Sequence, residues 1–273
     1  MRVIVPPLKI QGIKTKLIPH IKDLILWDMK GCWHEPFMGS GAVGFNILPR
    51  KAVFSDINPH IINFYNSIKL KKFDFITVKD FLGEEGNKLR EKGEQHFLDI
   101  RERFNSFYSP LDFLFLNRSC FNGIMRFNKK GHFNVPFCKK INRFSKSYIT
   151  KIVNQVKNVS NIIYNNDYSF VCQNFTVALE HINSDDFVYC DPPYLGRYTD
   201  YFNQWNYELE NQLQNILLNI NCKIILSTWE SNSHRKNDNK IFNIYNITKI
   251  PHFYHVGGKK INRNSIIEAL IYN

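Results

Sequence analysis

Apolar residues recur along the chain in two different rhythms. From Thr15 to Ile25 the spacing of Leu17, Ile21, Leu24 and Ile25 places one oily face on a helix. A short strand is then predicted over Cys32 to Phe37, a glycine loop at Gly39-Ser40-Gly41, a helix near Ala42 to Leu48, and a second strand over Ala52 to Ser55 ending at Asp56. This is a βαβ opening. A middle zone follows, rich in helix formers and charge, with a helical stretch over Asp80 to Phe107 and an apolar run from Leu111 to Leu116. Within it, Phe121 to Phe137 carries glycines between aromatic and polar residues, which predicts a hairpin turning at Lys129-Lys130-Gly131. Strand signals then return at Phe170 to Cys172, Asp186 to Cys190, Lys223 to Ser227, Ile244 to Ile250 and Ile266 to Tyr272, with short helices between the first few.

Strands alternating with helices imply a mostly parallel, Rossmann-like α/β sheet, and the two closely spaced last strands imply an antiparallel edge. The expected division is a catalytic domain from residues 1–57 and 166–273, interrupted by a mainly helical insertion with a β-hairpin at 58–165. No internal repeat suggests a solenoid.

Composition narrows the class. Of the 273 residues 44% are hydrophobic and 22% charged, as in a globular protein, and no apolar run is long enough for a membrane span. Residues Met1 to Pro7 lack the apolar core of a secretory signal, so the expectation is a soluble, cytoplasmic protein. The six cysteines are dispersed without CxxC spacing and are expected as reduced core thiols. The histidines form no HExxH, and His252 with His255 reads as a strand-and-turn coincidence, so no metal is expected. An excess of 36 Lys and Arg over 24 Asp and Glu gives +12, which favours a polyanionic partner such as nucleic acid. Charge alone is a weak signal, because a lysine-rich surface also aids solubility.

Gly39-Ser40-Gly41-Ala42-Val43-Gly44 fits GxGxxG after a strand, and Asp56 ends the next strand, where a carboxylate can accept ribose hydroxyls. That arrangement suits either NAD or S-adenosylmethionine. Glu35 and Phe37 beside the loop favour the methionine end of S-adenosylmethionine, because an acid there would repel a pyrophosphate.

Val188-Tyr189-Cys190 reads as a buried strand stopping at Asp191-Pro192-Pro193-Tyr194, at the sheet edge where open α/β folds hold ligands. The tetrad fits transfer to an aromatic amino group, a poor nucleophile because its lone pair is delocalised into the ring. The Asp191 carboxylate can accept one amino hydrogen and the Pro192 carbonyl the other, while Pro193 keeps Pro192 extended so that the carbonyl points at a fixed spot. Tyr194 offers a flat face on which a flipped base can stack. The bland alternative is an ordinary Asp-Pro turn after a strand. An Asp start favours adenine, without excluding cytosine or a glutamine side chain.

Beyond these two motifs, the chain carries Pro6-Pro7-Leu8-Lys9 with Gln11-Gly12-Ile13-Lys14, Glu35-Pro36-Phe37-Met38-Gly39-Ser40-Gly41, Asp56-Ile57-Asn58, Asn117 to Gly123, Phe133 to Phe137, and Tyr189 to Tyr194. Taken together they resemble the Dam-type (D12 class, alpha order) DNA adenine-N6 methyltransferases, most closely the EcoRV-type modification methylases. The resemblance implies S-adenosylmethionine as cofactor, double-stranded DNA as partner, base flipping, and a GAT-initiated site, GATATC or GATC. It also implies a place in a restriction-modification system with a cognate endonuclease. On it, Lys9, Gly12 and Lys14 belong to a segment folding back to the cofactor, and Lys9 also reaches the guanine ahead of the target adenine. Glu35, Phe37, Gly39, Gly41, Asp56, Asn174, Phe175 and Asp191 are the remaining cofactor candidates. Phe121 and Asn122 would fill the gap left by a flipped base, and Arg126, Asn128, Asn134 and Pro136 would approach base edges or backbone. For Arg126 a phosphate contact is an equal alternative. Two departures stand out: Ile10 replaces an aromatic beside the lysine, and Gln173-Asn174-Phe175 replaces the usual acid-plus-Phe that holds the cofactor's adenine.

Three other readings compete: an NAD-dependent oxidoreductase using the glycine loop, a nucleic-acid-binding module on a degenerate enzyme fold, and an amino-group methylase acting on RNA or a protein glutamine. The first leaves the Asp191 tetrad and the basic middle zone unexplained.

Overall fold

The computed structural model describes residues 3–195, 205–231, 240–253 and 265–273. Seven strands form one sheet: β1 (Trp33–Glu35), β2 (Lys51–Asp56), β3 (Asp167–Cys172), β4 (Phe187–Cys190), β5 (Lys223–Ser231), β6 (Asn246–Phe253) and β7 (Ser265–Tyr272). Their spatial order is β3-β2-β1-β4-β5-β7-β6. The first five are parallel neighbours, and β7 runs antiparallel to both β5 and β6. The antiparallel strand is thus not the edge, as the sequence suggested, but lies one in from it. Ala269, Leu270 and Ile271 of this inner strand are fully buried. The outer strand, β6, contains Pro251, which lacks an N–H to donate and is tolerated where no further strand pairs.

Nine α-helices lie among the described residues: α1 (Ile18–Leu24), α2 (Gly44–Ile47), α3 (Pro59–Lys69), α4 (Phe75–Lys92), α5 (Glu94–Phe107), α6 (Pro110–Ser119), α7 (Lys146–Tyr164), α8 (Phe175–Ala178) and α9 (Tyr207–Asn219). The helical stretch expected over Asp80 to Phe107 is broken by Gly93, whose φ of +62° admits the turn between α4 and α5. Side-chain caps start several of these helices: Asn58, Asp74, Ser109 and Ser145 each accept from a backbone N–H in the first turn.

One face of the sheet is covered by α3 and α7. Tyr65 of α3 stacks on Phe170 at 5.5 Å and donates its hydroxyl to the Ser40 carbonyl at 2.6 Å, while the Asn66 amide donates to the Phe170 carbonyl at 2.9 Å. The core is continuous from Trp33, Phe54 and Tyr168 of the sheet to Leu82, Phe97, Phe104 and Phe115 of α4, α5 and α6. A second cluster on the opposite face joins Val188, Ile224 and Leu226 to Leu213 and Leu217 of α9. The expected hairpin exists as two bridges, Cys120 with Phe137 and Phe127 with Phe133, closed by a turn in which Gly131 takes φ +76°.

All six cysteines are unpaired; Cys32, Cys120, Cys190 and Cys222 are buried, but Cys138 is half-buried and Cys172 exposed, so the expectation of core thiols fails for those two. Among the described residues no cluster of His, Cys, Asp or Glu could hold a metal ion, and no helix is long and apolar enough to cross a membrane. His255 lies outside the described residues.

Glu35 ends β1 and ties it to α2. Its buried Oε2 accepts from the Trp33 indole at 3.0 Å and the Gly44 N–H at 2.9 Å. Burial outweighs both bonds and pushes its carboxyl up to about 8. The folded chain therefore keeps a proton that the unfolded chain has released above the ordinary carboxylate range, and stability falls as pH rises from there through about 8. Glu35→Gln keeps the acceptor oxygen and removes the titration. Thermal unfolding should show a flatter pH profile for this variant and greater stability than the parent above pH about 8; a parent-like profile would refute this. Gly44→Ala should destabilise by about 1–3 kcal/mol in urea unfolding through overpacking, because a Cβ there would lie 2.3 Å from the Phe54 ring and 2.7 Å from the Glu35 carboxylate.

Candidate functional site

The carboxyl ends of β1, β2 and β4 open onto one pocket. Its wall includes Gln11 to Lys14, Glu35 to Ser40, Asp56 to Asn58, Asn174, Phe175, Asp191 and Pro193, and it is completed by Trp205 and Leu209 at the start of α9. The sheet explains the convergence. In a parallel sheet every strand delivers its following loop to the same edge, so motifs far apart in sequence meet there.

The glycine loop turns tightly because Gly39 and Gly41 adopt φ of +48° and +70°. Gly41 donates to the Met38 carbonyl at 2.6 Å. Asp56 braces the loop from below: Oδ2 accepts from the Gly39 N–H and Oδ1 from the Asn58 N–H, each at 2.9 Å. Burial raises its carboxyl to about 6 against these bonds. Its first task is thus to hold backbone at the pocket wall.

Three aromatic rings form an apolar wall. Phe37 and Phe175 stack at 5.4 Å between centroids, and Trp205 lies 5.5 Å from each. Trp205 was missed from sequence, although a tryptophan just ahead of an amphipathic helix is a usable signal. Asn174 caps α8, its amide oxygen accepting from Thr176 N–H at 3.3 Å, and Gln173 donates to the Ser55 hydroxyl at 3.0 Å.

At the other end, the Lys14 ammonium sits 2.9 Å from Asp191 Oδ1 and 3.0 Å from the Gly12 carbonyl, and lies 4.9 Å from the centroid of the Tyr194 ring. Burial pushes the Asp191 carboxyl up to about 6, and Lys14 holds it from going higher. The buried Tyr194 donates its hydroxyl to Glu268 of β7.

Not every predicted residue lines the pocket. Gly12, Lys14, Glu35, Phe37, Gly39, Asp56, Asn174, Phe175, Asp191 and Pro193 do; Lys9, Gly41, Pro192 and Tyr194 do not. Gly41 shapes the loop from within, where a Cβ would strike the Phe45 ring at 2.5 Å. Lys9 belongs to the hairpin side. Its backbone N–H and carbonyl are both bound by the Asn117 side chain at 2.8 Å, and its stem packs on Gly123. Burial, with Arg143 and Arg118 nearby, pulls its ammonium down to about 8.

At the start of the hairpin, Phe121 is 51% exposed and Asn122, also exposed, adopts φ +55° within a short 3-10 turn. Arg126 is held by Asn134, through Oδ1 at 2.9 Å and the carbonyl at 3.1 Å. Asn128 Oδ1 accepts from Lys130 and His132 N–H groups and shapes the turn, and the exposed Pro136 accepts at its carbonyl from the Phe121 N–H at 2.8 Å. Met125 reaches from this hairpin into the pocket wall.

The sequence is similar to characterised relatives over most of its length. It is 28% identical to the type II methyltransferase M1.LlaDCHI of Lactococcus lactis subsp. cremoris, covering 98% of this chain and 95% of that one. With the type II methyltransferase M.MjaIII of Methanocaldococcus jannaschii it shares 33% identity, covering 69% of this chain and 68% of the relative. A DNA adenine methylase of Vibrio cholerae is 34% identical across 59% of this chain and 55% of its own. Residues 11–256, which hold the glycine loop, Asp56, the hairpin and the Asp191 tetrad, match the family described as D12 class N6 adenine-specific DNA methyltransferase. With that span matched and the pocket assembled from the same residues, the chain belongs to the D12 class of N6 adenine-specific DNA methyltransferases.

Proposed function

We propose that this enzyme binds S-adenosylmethionine in the pocket between the glycine loop and Trp205 and methylates a flipped adenine held at Asp191, within a GAT-initiated duplex site. The observation that carries the reading is the placement of Asp191 and Pro193 in one wall with the glycine loop, Asp56 and the aromatic trio. The pocket residues fit the cofactor. Phe37, Phe175 and Trp205 suit the faces of an adenine, Asp56 suits ribose hydroxyls, and Asn174 retains an amide for the adenine edge. When bound, S-adenosylmethionine supplies an electrophilic methyl group on sulfonium.

The chain's own groups prepare the nucleophile. Asp191 and the Pro192 carbonyl accept the two amino hydrogens, concentrating the lone pair on nitrogen, and Tyr194 provides the stacking face. Asp191 must be ionised to accept, so its elevated carboxyl sets the acid side of the rate profile near pH about 6. Lys14 stabilises the ionised form.

Recognition is assigned to the insertion at 58–165, and within it to the hairpin. Phe121 and Asn122 enter the gap left by the flipped base, and Arg126, Asn128, Asn134 and Pro136 approach edges or phosphates. Lys9 contacts the guanine preceding the target. Among GAT-initiated sites GATATC is favoured by the EcoRV-like segments, and a restriction-modification pairing with a cognate endonuclease follows from the same likeness. Residues 1–57 and 166–273 carry cofactor and catalysis.

Methyl-labelled S-adenosylmethionine with plasmid DNA should yield labelled N6-methyladenine at GATATC, read by digestion and by protection from a restriction enzyme of that site. Label on RNA or protein instead, or NAD binding without transfer, would overturn the reading. Asp191→Ala should reduce the transfer rate by at least about 10²-fold, as for loss of one preorganised partner, while equilibrium binding of S-adenosylmethionine stays within a few fold; undiminished turnover would refute the role. Lys9→Ala should relax discrimination at the guanine by about 1–3 kcal/mol in competition between site variants, and equal weakening on every sequence would make it a phosphate contact.

A further inference from the structure

We propose that Glu268 is a positioning residue for methyl transfer, fixing the plane of the Tyr194 ring through its hydrogen bond with the tyrosine hydroxyl. The inference rests on the assignment of Asp191 to Tyr194 as the base pocket.

Glu268 is wholly buried in the middle of β7, whose flanking residues Ile267, Ala269, Leu270 and Ile271 are apolar. A carboxylate at such a place costs several kcal/mol unless it is hydrogen-bonded, whereas an aliphatic side chain would pack there without penalty. Packing alone therefore does not explain the acid. Its side chain accepts from Tyr194, the last residue of the tetrad. Across the sheet Glu268 is in register with Trp229 of β5, and the pairing shifts between Trp229 and Ser231, a bulge of the kind that re-aims side chains next to sites. Trp229 and Tyr194 pack together as a separate buried apolar pair.

A tyrosine ring has two torsions to fix, and this one is held at two ends. Lys14 lies over the ring at 4.9 Å from its centroid, and Glu268 takes its hydroxyl. Lys14 in turn pairs with Asp191 at 2.9 Å. The four side chains form one chain of contacts, Asp191 to Lys14 to Tyr194 to Glu268, running from the pocket wall into the antiparallel strand β7. Charge passes along it too: the Glu268 carboxylate pushes the Asp191 carboxyl upward, and Lys14 pulls it down. Glu268 thus affects the reaction in two separable ways, through the ring's orientation and through the ionisation of Asp191.

Four full-length variants separate these effects: Glu268→Gln, Glu268→Ala, Tyr194→Phe, and Glu268→Ala with Tyr194→Phe. Single-turnover transfer to plasmid DNA is measured against pH, with S-adenosylmethionine binding by equilibrium titration. Glu268→Ala and Tyr194→Phe should each slow transfer by about 10-fold or more with cofactor affinity within about 3-fold, and the double variant should be no slower than the worse single one, as for groups acting as a unit. Glu268→Gln, which can still accept from the hydroxyl, should recover the rate at alkaline pH and move the acid limb to lower pH. A parent-like rate in Glu268→Ala would overturn the proposal, as would multiplicative losses in the double variant or an unshifted acid limb in Glu268→Gln. A parent chain that binds S-adenosylmethionine yet methylates no DNA refutes the proposed function, while a parent chain that methylates DNA and is indifferent to Tyr194→Phe refutes this inference alone.

Discussion

The ion pair between Lys14 and Asp191 joins the two parts of the molecule that the site requires. Asp191 is placed by the end of β4, a strand buried along its whole length, and Lys14 comes from an amino-terminal segment with no strand or helix of its own at that point. Without a cation in reach, the carboxylate at the mouth of an apolar strand would hold a proton over much of the neutral range, since burial already lifts it to about 6. Lys14 is buried and Asp191 partly so, and removing either leaves the other charge short of compensation. The segment from Ile10 to Lys14 is therefore part of the pocket at the carboxyl edge of the sheet even though it belongs to none of its strands.

Acidic groups gather at this edge for distinct reasons. Glu35 braces the entry to α2, Asp56 braces the glycine loop, and Asp191 faces the pocket beside Lys14. Three carboxyls pushed upward by burial within one site hold protons far more readily than in water. Glu35 is tied to an indole and a backbone amide and serves architecture, while Asp191 is tied to a mobile type of group, a lysine ammonium, which a competing donor can replace. The chemistry of the partner, rather than the acid itself, separates the structural carboxyl from the one proposed to act on the base.

Much of this was legible in the sequence. Strand and helix periods located every strand of the sheet to within a few residues, and the glycine loop, Asp56 and the Asp191 tetrad fell at strand ends as their chemistry demands. The order of the last strands was not legible, since a hairpin's two strands carry the same alternation and only packing decides which lies inside. The helix break at Gly93 was missed because helix-forming residues continue on both sides. Of the tetrad, Asp191 and Pro193 line this pocket and Pro192 and Tyr194 do not, a distinction set by how a chain leaves a strand, which spacing does not encode. Glu268 offered one faint signal: an acid within an apolar run, which a strand buried on both faces does not tolerate without a partner.

The same amino-terminal segment also reaches the hairpin. Asn117 at the end of α6 binds both the N–H and the carbonyl of Lys9, and Gly123 leaves room for the lysine stem, since a Cβ there would come within 2.8 Å of it. The Lys9 head is held near Arg118 and Arg143, so three cations share one region and burial makes their repulsion stronger. That repulsion opposes the free state and is relieved when an anion draws near, which suits an enzyme acting on DNA. Lys9 and Lys14 lie five positions apart across a turn in which Gly12 takes φ +77°, the first held at its backbone by Asn117 of α6 and the second paired with Asp191.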